Sequence, residues 1–166
     1  RFDVYASSDA SYGIVLLEEY FQQILKKTSF SINDLLIIEL YFFCCAVNLE
    51  DKKYFDELAD KALRYTDYED KDCLAQLEKI LLVLLAQLEE KNTLKYIKCF
   101  EEIIQVTRHF FYKAIIYMFK AKYALRVEQD EEKTKELYGK AVTFAELLDD
   151  DILVKRILEE KKSDFS

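Results

Sequence analysis

The chain has 166 residues, 51% of them hydrophobic, and a formal charge of −8. It is long enough for a core and too apolar for a disordered chain, and its acidity argues against direct contact with a nucleic-acid backbone. Proline is absent and glycine occurs only as Gly13 and Gly139. That scarcity excludes most sheet architectures, which use both residues at turns, and points to helices joined by short polar links.

Residues 1–11 read as a polar lead-in and 12–30 as a first helix with its link. Ile14, Leu17, Phe21 and Leu25 form its apolar stripe, and Lys26 and Lys27 suit its C-terminal dipole. Ser31 is placed to cap the second helix, with Phe30 before it as a hydrophobic staple. Asp51 opens a third helix carrying Phe55, Leu58, Ala62 and Tyr65. The central helix, Cys73 to Glu90, is uninterruptedly apolar from Ile80 to Ala86. Such a helix is expected to be buried on several sides, and its apolar run falls well short of the roughly 18 residues of a membrane span. Asn92 or Thr93 caps a fifth helix with Ile97, Phe100 and Ile104 inward. A sixth runs from Phe110 to Glu128. Asp130 caps a seventh, to about Leu148. A last helix starts near Asp150 and frays after Lys161.

The helices repeat. Glu57-Leu58-Ala59-Asp60-Lys61-Ala62-Leu63 matches Glu136-Leu137-Tyr138-Gly139-Lys140-Ala141-Val142, and Lys98 to Ile104 takes the pattern more loosely. The preceding helices end alike, at Ala46-x-x-Leu49-Glu50, Ala86-x-Leu88-Glu89 and Ala124-x-x-Val127-Glu128. The spacing of about 40 residues is that of helical-hairpin repeats. Tyr117 to Ala145 resembles a tetratricopeptide repeat, with Tyr138, Ala141 and the small Gly139 on its second helix. Lys120 stands where that repeat has glycine, and the closing proline is missing. The expected fold is therefore all-α: stacked helical hairpins (31–67, 69–107 and 110–148) in a tetratricopeptide-like right-handed solenoid, forming one domain with a capping helix at 150–163.

Catalysis has no foothold in this pattern. The single histidine, His109, has no metal-ligand spacing around it, and Cys44, Cys45, Cys73 and Cys99 lie in apolar stretches without a C-x₂-C pair. Acidic clusters sit at helix starts, where carboxylates cap amides. No phosphate loop, G-x-S-x-G or H-E-x-x-H is present, so no enzyme, cofactor or metal is expected. Cysteines that form no disulfide framework and the lack of a signal peptide point to the reducing cytoplasm. The start at Arg1 instead of Met leads us to expect a segment upstream.

First helices of stacked hairpins line a concave surface. Within their apolar faces stand Tyr41, Cys45 and Asn48; Gln76 and Gln87, with Val83 between; and Lys113, Tyr117 and Lys120. Amide and phenol groups in an apolar groove suit an extended peptide, whose backbone they can satisfy. A bland alternative gives these residues ordinary places on half-exposed helices.

From about Phe30 onward the chain resembles the C-terminal sensor region of Rgg/MutR/GadR transcription regulators. The residues that carry this are Leu36 to Phe43, the hairpin that follows to Ala62, and Ala141 to Leu148 with Leu153 and Ile157 beyond. The resemblance implies a cytoplasmic homodimer that binds a short signalling peptide and reaches DNA through an N-terminal helix-turn-helix domain absent from these residues. The polar pair expected on the second inner helix is not clearly reproduced, since Cys45 and Asn48 fall there. The competing reading is a helical-repeat scaffold for protein partners with no transcriptional role.

Overall fold

The computed structural model describes residues 18–47, 54–87 and 93–166. The expectations at Ile14, Leu17, Asn48, Asp51 and Asn92 lie outside them. The described residues form helices joined by short links, and their sole extended pairing is an isolated bridge between Phe30 and Thr66. The chain divides into two compact units, residues 1–87 and 88–166. The boundary falls inside the hairpin read from the sequence at 69–107.

In the first unit, helix α1 (18–24) is followed by α2 (Ile32–Val47), α3 (Phe55–Tyr65) and α4 (Lys71–Leu85). Helix α1 ends at residue 24, earlier than its lysines suggest, and the Lys61 ammonium of α3 donates to the Leu25 carbonyl just beyond it. The start of α2 is a reciprocal cap. The Asp34 amide donates to Ser31 Oγ at 3.3 Å, and the Asp34 carboxylate accepts from the Ser31 amide at 2.9 Å. This is a capping box closed by Asp where Glu is usual. Helix α4 is capped by Asp70, which accepts from the amides of Asp72 and Cys73. It packs against α2 and α3 through Leu74, Leu77, Ile80, Leu81 and Leu84. Burial is not all-round as the apolar run implies, because Leu82 and Val83 are half-buried and Ala86 is exposed. One side of the helix is partly open.

Asp34 carries a pH dependence. Burial pushes its carboxyl up, but the Lys27 ammonium at 2.8 Å and the amide and hydroxyl of Ser31 together hold it below its ordinary value. A depressed acid contributes stability that is complete above its unfolded pKa, about 3.9, and is lost as pH falls through the lower folded value. Asp34→Asn is therefore expected to destabilise the chain by about 1 kcal/mol at neutral pH. The gap to wild type should close below about pH 4. Urea melts at neutral and acid pH read this directly, and a gap that persists in acid contradicts it.

The second unit holds α5 (Thr93–Thr107), a 3₁₀ turn at Phe110–Tyr112, α6 (Lys113–Tyr123), a π-helical segment at Ala124–Glu128, α7 (Glu131–Leu147) and α8 (Asp151–Asp164). Ile97, Phe100, Ile103 and Ile104 of α5 are buried. The sequence reads Phe110 to Glu128 as one helix. In the structure it starts tight and ends wide, and Gln129 follows in the left-handed conformation (φ 55°). Arg108 (φ 63°) and Asp149 (φ 53°) take that conformation after α5 and α7. Asp130 caps α7 by accepting from the Lys133 amide at 3.0 Å, and Asp150 caps α8 through the Leu153 amide.

Helix α8 buries only Ile157. It nevertheless stays helical past Lys161 to Asp164, because Asp164 is held on several sides. Its carboxylate lies 3.1 Å from Lys122 Nζ and 3.5 Å from the Arg126 guanidinium, and it accepts from the hydroxyl of the fully buried Tyr138. Glu160 joins from the same helix, 2.7 Å from Lys122.

The internal repeat survives in three dimensions within each unit. Leu58, Ala59 and Ala62 are buried in α3, and Tyr138 and Ala141 are buried in α7. The matched polar positions make the same i,i+4 ion pair, Lys61–Glu57 at 3.6 Å and Lys140–Glu136 at 3.2 Å. Gly139 departs from the repeat reading. It is exposed, and a Cβ there would meet nothing within 4 Å, so its small size serves no close packing. Since glycine costs a helix interior backbone entropy, Gly139→Ala is expected to stabilise the chain by about 0.5–1 kcal/mol. A lower melting temperature in a thermal scan would contradict this.

Candidate functional site

Two groups of sequence-predicted residues can be placed, one in each unit. In the first unit Tyr41 is 1% exposed, and its hydroxyl accepts from the Tyr54 amide at 2.9 Å, satisfying a donor at the entrance to α3. Its ring meets Phe21 edge-on at 4.8 Å. Cys45, one turn on, is wholly buried. These two side chains are buried in the core of the first unit, where the sequence reading puts them on an open surface. Gln76 is also buried and donates to the Glu39 carboxylate of α2. Gln87 is half-buried and donates to the carbonyls of Phe42 at 2.9 Å and Val83 at 3.1 Å. Both glutamines thus tie the α4 side of the unit to α2. The Gln87 Oε1 atom is different: it is buried and has no hydrogen-bond partner among the described residues. Such an acceptor is costly to leave unmade.

In the second unit Lys113, Tyr117 and Lys120 occupy one face of α6 at i, i+4 and i+7. The Tyr117 ring stacks on Phe144 of α7, with centroids 5.3 Å apart and planes 18° from parallel. Three ammonium groups stand over this pair: Lys120 5.3 Å and Lys140 5.9 Å from the Tyr117 centroid, and Lys113 5.7 Å from that of Phe144. Lys113 also lies 5.0 Å over Phe110. Lys120 is paired with Glu101 at 2.7 Å and Lys140 with Glu136, whereas Lys113 has no carboxylate partner among the described residues.

Sequence reasoning missed Phe144, Lys140 and Phe110. The spacing of Lys140 and Phe144, one turn apart on α7, was visible, but that this face opposes Tyr117 was not. It also missed Glu78, wholly buried on α4. Burial raises the Cys44 thiol above its ordinary pKa, and burial together with the carboxylate of Asp70 raises Cys73, so both remain protonated at neutral pH. His109 lies against Phe111, with ring centroids 5.5 Å apart. Among the described residues no cluster of His, Cys, Asp or Glu could hold a metal ion, and no helix is long and apolar enough to cross a membrane.

Comparison with known proteins gives one consistent result. The family described as ComR tetratricopeptide matches residues 1–161. The competence regulator ComR from Streptococcus vestibularis, solved in complex with its cognate signalling peptide XIP, is 30% identical with a TM-score of 0.81, over 91% of this chain and 68% of that one. ComR from S. thermophilus, in complex with DNA and its signalling peptide ComS, is 28% identical with a TM-score of 0.82, over 92% of this chain and 54% of that one. ComR from Streptococcus suis is 29% identical with a TM-score of 0.71, over 91% of this chain and 51% of that one. The chain thus spans about half the length of the latter two. No curated protein matches it.

Proposed function

Because the chain belongs to the ComR tetratricopeptide family, we propose that its all-helical, tetratricopeptide-like fold is the peptide-sensing and dimerising part of a transcription regulator. The observation that carries this is the likeness to a peptide-bound regulator at 30% identity over 91% of the chain. A short signalling peptide is the ligand. Each unit offers its own candidate surface: the half-open side of α4 at Val83 in the first, and the α6 face with Lys113, Tyr117 and Lys120 in the second.

Regulation by such a ligand is a population shift. A peptide that binds one packing of the hairpins better than another biases the dimer by that difference and no more. DNA is then contacted by a domain outside these residues, in the cytoplasm. The role asks for no catalysis. A scaffold for protein partners would carry the same helices without an encoded helix-turn-helix, so the gene ahead of Arg1 separates the two readings.

Calorimetric titration with short hydrophobic peptides tests the site. Tyr117→Ala is expected to weaken a binding peptide about tenfold or more, the effect of truncating a central aromatic anchor. Unchanged affinity would remove α6 from the site.

A further inference from the structure

The lysines around the Tyr117–Phe144 pair are arranged in an unusual way. Cations over ring faces are attracted to the negative quadrupole, which holds them in place without neutralising their charge. Lys120 and Lys140 each have a carboxylate as well, at 2.7 and 3.2 Å. Lys113 has only rings, those of Phe110 at 5.0 Å and Phe144 at 5.7 Å, and it is half-buried. In a chain with 32 acidic and 24 basic residues, acidic partners are plentiful, yet no described carboxylate reaches this ammonium. A partly desolvated cation, pre-positioned and left unpaired, gains most from an anion that arrives with a ligand.

We infer that Lys113, whose ammonium lies over the rings of Phe110 and Phe144, is a carboxylate-recognition point for the peptide. The ligand would present an acidic side chain or its own C-terminal carboxylate there. The inference rests on the peptide-sensing reading above and extends it from a class of ligand to a chemical requirement on that ligand.

A synthetic library of short peptides, screened by fluorescence polarisation on the intact chain, tests it. Each binding peptide is remade with its acidic side chains changed to amides, and separately with an amidated C-terminus; the two series distinguish the two sources of carboxylate. One of the two changes is expected to weaken binding about ten- to a hundredfold, the span of a charge-assisted hydrogen bond. In Lys113→Gln the same change should alter affinity by less than about twofold. This double comparison is unaffected by a general loss of stability, since it reads a difference between peptides on one protein. Lys113→Arg should retain the preference. Binders indifferent to both changes, or a preference that survives in Lys113→Gln, overturn the carboxylate point and leave peptide sensing standing. A library that yields no binder overturns both.

Discussion

Replacing Asp164 with alanine is expected to lower the unfolding free energy by about 2–4 kcal/mol. The side chain is 8% exposed and serves Lys122, Arg126 and Tyr138 together. Lys122 would keep Glu160 at 2.7 Å and so would not be left as a lone buried charge. The Tyr138 hydroxyl has no such second partner among the bonds described, and a buried hydroxyl without an acceptor costs about 1–3 kcal/mol by itself. The remainder comes from the lost charge-assisted bonds of the cations.

Tyr138→Phe removes the donor but leaves Asp164 paired with both cations, so its cost should be smaller, about 1 kcal/mol. The same pair shapes the alkaline limb. Burial, then the bond to Asp164 and its charge, push the Tyr138 phenol well above its ordinary value. For a raised acid of this kind, stability is intact below the unfolded pKa of about 10 and declines as pH rises beyond it, because the unfolded phenol ionises first. The Phe variant lacks that part of the decline. Urea titrations across neutral and alkaline pH give both quantities. An Asp164→Ala chain as stable as wild type would show that α8 stands on Ile157 alone.

The second large effect lies in α4. Leu77 is 0% exposed at the contact with α2 and α3. Leu77→Ala removes buried methyl groups and leaves a cavity that close packing cannot fully collapse, for an expected loss of about 3 kcal/mol within the usual 2–5 range. Val83→Ala, on the half-open side of the same helix, should cost under about 1 kcal/mol. Chemical denaturation followed by far-UV circular dichroism compares the two. Equal costs would mean that α4 has no open side and would take Val83 out of any binding surface.

Much of the fold could be read from residue order because helices announce themselves locally. Ser31, Asp130 and Asp150 all cap where their side chains and the following apolar period place them. The apolar stripes of α3 and α5 also put the expected residues inside. Features that depend on distant partners could not be read this way. Helix α8 persists to Asp164 because Lys122 and Tyr138, 42 and 26 positions away, hold its last turn. The widened end of α6 at Ala124–Glu128 has no glycine or proline to mark it.

The candidate site divides along the same line. Tyr41 has the polar tip of a groove residue, but the amide it serves is Tyr54, and only the packed chain shows that this point is inside. Lys113, Tyr117 and Lys120 were legible as one face through their i, i+4, i+7 spacing. The rings that position the ammonium groups were not, because a helical period identifies a face and says nothing about what opposes it.

The corners at Arg108, Gln129 and Asp149 bend through a backbone region where a Cβ is unwelcome, and none of them is glycine. Each such corner forgoes about 1 kcal/mol relative to an achiral residue. The half of the molecule from Leu88 onward therefore has an unused margin of heat resistance. Gln129→Gly and Asp149→Gly would let a protein engineer recover it at two of the bends, whereas Arg108 lies 6.0 Å over Phe110 and borders the ring-and-ammonium cluster.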